Sequence, residues 1–297
     1  MINQSARYLS GTTLALSLFL AFNPAAHAAA TWDFSNTGKA NGCQAQAAPN
    51  GQQASGANSY GNSYKCAASS GTGPTVTVTA WGGTSAAGTT GFQTANVSPQ
   101  GDSGFGVKSR YETLNVSAPN HSMDNDPASS ATPDMFLLNF SSAVSLSNVI
   151  LGWSQSDADF TLMAYTGPAT TAAGIVQGKT ASNLTAGGAS AGWALIENSG
   201  DVDTKAGYAG SSTDISRTVN GTATTGVTSS WWLISAYNAG FGGGTLDHLA
   251  DYMKVLSVSS KDLPKSTNNV PEPGSLALFG AALMGFVATR RRKQHAA

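Results

Sequence analysis

Charge is scarce in this chain. Only 10% of its 297 residues are Asp, Glu, Lys or Arg, and the formal net charge is −1. Little raw material is left for acid–base chemistry, and solubility has to come from hydroxyls and amides. Cysteine is nearly absent, with Cys43 and Cys66 the only two. The spacing is not that of a C-x₂-C zinc pair, and no histidine lies nearby. Histidine itself is limited to His27, His121, His248 and His295. No G-x-S-x-G elbow occurs, so spacing selects no Ser-His-Asp set from the many serines. No long amphipathic helical period appears either, which excludes a helix bundle.

What is present near the ends is more specific. Arg7 supplies a positive first region, Leu14 to Phe22 an apolar one, and Ala26-His27-Ala28 an A-x-A cleavage site. This order predicts a secretory signal peptide over residues 1–28, handled by the translocon and signal peptidase. At the other end stands Val270-Pro271-Glu272-Pro273-Gly274, then an uncharged run over 274–289, then Arg290, Arg291, Arg292 and Lys293. The prolines hold an extended, accessible segment. As a helix the run spans roughly 24 Å against a bilayer core of about 30 Å. Snorkelling of Arg290 and local thinning close that gap. The basic cluster stays on the cytoplasmic side. The expectation is a single transmembrane helix, 274–289, holding the chain transiently in the inner membrane.

This three-part tail resembles the PEP-CTERM sorting signal of bacteria that make exopolysaccharide. The resemblance implies recognition at Pro271, Glu272 and Pro273 by exosortase, a membrane-embedded processing enzyme. It implies a stop at Arg290 to Lys293, and a mature form at the cell surface or in the extracellular matrix.

Between the ends lie the body, 29–260, and a linker, 261–269. Arg7 and the four tail cations account for 5 of the 15 Lys and Arg, and Glu272 for one of the 16 Asp and Glu. Residues 29–269, body and linker together, therefore carry 10 against 15, a net of −5. A mildly acidic body argues against nucleic acid as a partner, because phosphate binding needs a basic face. In an oxidising compartment Cys43 and Cys66 pair as a disulfide. It closes a loop of about 24 residues, worth about 3 kcal/mol in the chain-entropy model.

Period-two alternation marks strands at Thr31 to Phe34, Thr75 to Trp81, Phe105 to Val107, Asp134 to Phe140, Val144 to Trp153 and Phe160 to Tyr165. Further strands are expected at Trp193 to Glu197, Trp231 to Tyr237 and Asp251 to Val258. Asn220-Gly221 predicts a hairpin joining 214–219 to 222–225. Gly106 marks a close backbone approach. Residues 36–73 read as a long surface loop stapled by the disulfide. Residues 166–191 read as a second long loop with room for one short helix. About ten short strands separated by turn signals predict an all-β fold, an antiparallel β-sandwich of jelly-roll type.

Several segments in order resemble the exosortase-dependent surface protein family. They are 121–125, Asp134 with 136–140, 151–153 followed by Asp157 and Asp159, 232–238 and 251–256. The resemblance implies sorting by the same tail and brings no assigned activity.

Two kinds of site stand out in the body. Asp157 and Asp159 fall on one side of an extended segment. Asp124, Asn125 and Asp126 are acidic and amide oxygens in a loop, with Asp134 close behind. Hard oxygen donors suit Ca²⁺, and the alternative is a set of turn-forming aspartates. Aromatic rings offer stacking faces for sugars. Trp81 and Trp193, with Tyr60 and Tyr64, are the expected exposed platforms, while Trp32, Trp153 and Trp232 are expected in the core. These features predict a structural or adhesive component of the envelope or exopolysaccharide matrix. A calcium-dependent carbohydrate-binding module and a matrix-directed hydrolase are the alternatives.

Overall fold

The computed structural model describes residues 29–35, 37–38, 42–46, 60–84, 91–110, 121–125, 132–168, 172–186, 192–200, 214–220, 226–243, 246 and 249–262. The expected signal peptide, the sorting signal with its 274–289 helix, Asp126 and residues 222–225 lie outside these. Among the described residues no helix is long and apolar enough to cross a membrane.

Among the described residues fifteen strands form one antiparallel sheet that curls on itself, with almost no helix. They are β1 (Ala30–Asp33), β2 (Cys43–Gln46), β3 (Ser63–Cys66), β4 (Ser70–Gly71) and β5 (Val76–Gly82). Next come β6 (Gln93–Pro99), β7 (Phe105–Lys108), β8 (Met123–Asp124), β9 (Met135–Val144) and β10 (Leu146–Ser156). The last five are β11 (Phe160–Tyr165), β12 (Trp193–Ser199), β13 (Ile215–Thr218), β14 (Ser229–Ala236) and β15 (Asp251–Ser260). The main path runs β12-β11-β14-β9-β5-β6-β7-β15-β1-β4. The expected sandwich of separate sheets is thus one sheet. β6 pairs with β5 on one side and β7 on the other, and so carries the ladder from one half into the other.

The alternation in the sequence explains the core. Val76, Val78 and Ala80 on β5 and Met253 and Val255 on β15 are buried. They belong to one apolar cluster that also holds Trp32, Phe136, Phe160 and Trp232. The Trp32 and Phe140 rings meet edge-on at 4.7 Å and tie β1 to β9 across that core. Gly106 is a close approach as expected, since a Cβ there would lie 1.5 Å from the His121 carbonyl oxygen.

β9, β11 and β14 do not follow a one-sided pattern. Every residue of β11 is buried. Their outer faces carry Met135, Leu137, Met163, Tyr165 and Leu233, which form a second apolar cluster with Trp81 and Trp193. Its cover is the 166–191 segment, whose Ile175, Val176, Ala181 and Leu184 pack there. That segment contains two short helices, α1 (Ala172–Ile175) and α2 (Ala181–Thr185). Thr180 starts α2 with a reciprocal capping box to Asn183, which satisfies two orphan donors. The segment is therefore a structural cover.

The 36–73 region also departs from a plain loop. It contributes β2, β3 and β4, and β3 joins the sheet beside β5. Cys43 and Cys66 face each other across the β2–β3 pair and are disulfide-bonded and fully buried. β13 pairs with β10, with Asn220 in the left-handed region at φ 59°.

Because the disulfide closes the loop between β2 and β3, Cys43→Ser with Cys66→Ser should lower stability by about 3 kcal/mol. Denaturant midpoints of the wild type and the double variant, at constant m-value, check this.

Candidate functional site

One end of the sheet gathers carboxylates from segments far apart in sequence. β10 ends at Ser156, and the chain makes a tight turn through Asp157, Ala158 and Asp159 before β11. β15 begins at Asp251, which forms an isolated bridge with Asp157. β14 ends at Ala236, and the Tyr237 amide donates to the Asp159 carbonyl at 2.9 Å. β8 lies along the other side of β15, with Asp124 opposite Tyr252.

Asp157, Asp159 and Asp251 come together here. Each offers a carboxylate oxygen within 4.8 Å of the others, and all three are buried. Asp251 is 1% exposed and Asp159 2%. Neutral donors hold the geometry. The Asp159 amide donates to Asp251 Oδ1 at 2.7 Å. The Ala158 amide donates to Asp157 Oδ1 at 2.9 Å. Asn125 Nδ2 donates to Asp251 Oδ2 at 2.5 Å and to the Tyr237 carbonyl at 3.0 Å. The Asp251 amide answers to Asn125 Oδ1 at 2.8 Å. Three like charges this close, out of water, repel strongly, so the arrangement favours a shared proton or a bound cation. An all-oxygen donor set suits a hard cation such as Ca²⁺.

The structure brings together half of the expected metal set. Asp157 and Asp159 are in the cluster. Asp124 is buried beside it but accepts from Ser122 Oγ at 3.1 Å and is not one of the three grouped carboxylates. The sequence reading missed Asp251; it had Asn125 among the loop oxygens, and the structure places that amide on Asp251. Asp251 opens an alternating apolar strand and sits 92 residues from Asp159. No local spacing could pair them, though a carboxylate at the buried end of such a strand is itself a signal.

Two of the four expected sugar platforms, Trp81 and Trp193, are buried and not exposed. Trp81 is 4% exposed and Trp193 3%, both under the α1–α2 cover. Trp193 Nε1 donates to the Ile175 carbonyl at 3.2 Å. Sequence alternation placed Trp81 on the outer face correctly but could not show that this face is covered. Tyr60 and Tyr64 are half-buried, Tyr60 under the Arg110 guanidinium and Tyr64 against Phe105. Trp32 and Trp232 are in the core, but Trp153 is half-buried with Lys254 over its ring.

The PEP-CTERM protein-sorting motif matches residues 269–293. That range includes Pro271, Glu272 and Pro273, and Arg290 through Lys293. The motif marks an exported chain sorted to the cell surface, with exosortase as the processing enzyme. No curated protein matches the chain.

Asn125 links the end of β8 to charged Asp251 at the start of β15 and to the Tyr237 carbonyl just after β14. Asn125→Ala should cost about 2 kcal/mol, the range for hydrogen bonds to charged groups. Equilibrium unfolding measures it, and a change under about 0.5 kcal/mol would show the Asp251 contact to be incidental.

Proposed function

We propose that this exported, surface-sorted chain is a non-catalytic structural or adhesive component of the envelope or exopolysaccharide matrix, with a body braced by Ca²⁺. The sorting motif at 269–293 carries the first part of this reading. The convergence of Asp157, Asp159 and Asp251 carries the second.

The route follows from the two ends. Signal peptidase releases the body after Ala28. The 274–289 helix then holds the chain in the inner membrane, with Arg290 to Lys293 retained on the cytoplasmic side. Exosortase acts near Pro271, Glu272 and Pro273. Two prolines flank Glu272, so this stretch would have few backbone donors to lose and would favour an extended form that an enzyme's cleft can take up.

Ca²⁺ would be held by the carboxylates of Asp157, Asp159 and Asp251, with Asn125 fixing the orientation of Asp251. It would supply charge neutralisation at a point where β15 and the turns after β10 and β14 meet. Asp124 and Ser122 brace the neighbouring β8. The role is mechanical: it fastens strand ends that otherwise repel. The polar, low-charge surface and the internal disulfide fit a protein that persists outside the cell.

Two experiments test the reading. Mass spectrometry of the mature C-terminus, in cells with and without exosortase, should show Arg290 to Lys293 missing from surface material only when exosortase is present. Intact Arg290 to Lys293 in mature surface protein would remove the sorting claim. Separately, Ca²⁺ should bind in calorimetry. At a hundredfold excess over Kd it should stabilise by about 2.7 kcal/mol, a Tm rise of roughly 5–10 °C for a body of this size. Asp251→Asn should abolish both signals; no heat and no Tm change in the wild type would end the calcium proposal.

A further inference from the structure

The face of β15 opposite the core carries a second arrangement. Met253 and Val255 point inward, while Tyr252, Lys254 and Leu256 alternate with them and are half-buried on the other face. In the β10–β15 ladder Trp153 stands opposite Lys254, and Gln155 opposite Tyr252. Lys254 Nζ lies 4.3 Å from the centroid of the Trp153 ring. No salt bridge to Lys254 occurs among the described residues.

That is an unusual place for an ammonium. Burial pushes Lys254 below the usual lysine range. Its neighbour His121 is held below the usual histidine range by burial first, then by Lys108 and Lys254. Two lysines thus bear on one imidazole, and a local positive field sits within residues 29–269, whose net charge is −5. The ring contact fixes the ammonium in place, so less side-chain entropy is lost when an anion arrives.

We propose that this face binds an acidic saccharide, with a uronate carboxylate on Lys254 and the sugar's apolar ring face against Trp153 and Tyr252. A single ammonium is a point charge that balances one carboxylate, whereas a phosphate monoester brings about 1.5 to 2 charges. The half-buried indole and phenol supply flat apolar area with a polar rim, which a pyranose needs and a simple anion does not. The acidic body repels a densely charged polyanion beyond the patch. The ligand class is therefore a polysaccharide in which uronates are spaced by neutral sugars. Lys108 adds long-range attraction, and Gln155 offers amide hydrogen bonds beside Tyr252. This site lies on the other face of β15 from the core, and the inference does not rest on calcium binding.

The test is a fluorescence and calorimetric titration of the full-length protein in detergent micelles. The probe is a hyaluronan tetrasaccharide, in which uronate and neutral sugar alternate. A chitin tetrasaccharide serves as the neutral comparison and inorganic polyphosphate as the dense anion. Hyaluronan should bind saturably and perturb tryptophan emission, with the two comparisons at least tenfold weaker. Lys254→Gln should weaken hyaluronan binding roughly tenfold or more, and Lys254→Arg should keep most of it. Lys108→Gln, which leaves the ring contact intact, should give a smaller loss that vanishes at high salt. Tm values establish that each variant is folded. Equal binding of the neutral tetrasaccharide, equal binding of polyphosphate, no binding of hyaluronan, or unchanged affinity in folded Lys254→Gln would each overturn the proposal.

Discussion

The structure depends on the hydrogen-bonded ladders of its final strand. β15 pairs with β10 along one edge, from Leu146↔Ser260 to Ser156↔Asp251. Along the other it pairs with β1, β7 and β8. No other strand among those described serves so many neighbours. Its inward side supplies Met253, Val255 and Val258 to the core. Its first residue, Asp251, sits among the carboxylates. Its outward side carries Lys254. A single strand thereby sets the position of both candidate sites. The ladder with β10 also contains register shifts around Leu151 and Trp153. Such irregularities bend a strand and re-aim its side chains, and they fall where Trp153 turns out of the core.

A low-charge sequence has limited means of keeping a sheet soluble, and the two halves solve this differently. Around β5, β9, β14 and β11 the outer face is apolar and lies beneath α1 and α2. Around β15 and β10 the outer face is only half-buried and mixes aromatic with cationic and amide groups. The first arrangement is a second core. The second keeps Trp153, Tyr252, Lys254 and Gln155 partly open to solvent.

Much of the strand order was legible, because period-two alternation on half-buried strands leaves a direct imprint. Val76, Val78 and Ala80 are an example, as are Met253 and Val255. The disulfide was legible from the count of cysteines and the export signal. What failed to show was any property set by cover or by distant pairing. Trp81 and Trp193 read as exposed because alternation reveals which face a side chain takes, not what lies upon it. The small, polar residues of 166–191 masked a cover whose apolar contacts are few and widely spaced. β2 and β3 were hidden in a turn-rich stretch, since four-residue strands carry almost no periodic signal. Asp251 escaped for a different reason: its partners are long-range, and charge clustering in space has no counterpart in local spacing.

The β1–β15 pairing joins the beginning of the folded body to its end. Ala30 lies opposite Ser260, 230 residues away. A chain delivered across a membrane from its N-terminus presents β1 early and β15 last. Until β15 emerges, β1 lacks that ladder, Phe105 lacks its partner Val255, and the Asp157 turn lacks Asp251. Contacts of such high order close late and slowly. Threading therefore precedes closure: in a chain exported from its N-terminus, these ladders can form only after β15 has emerged.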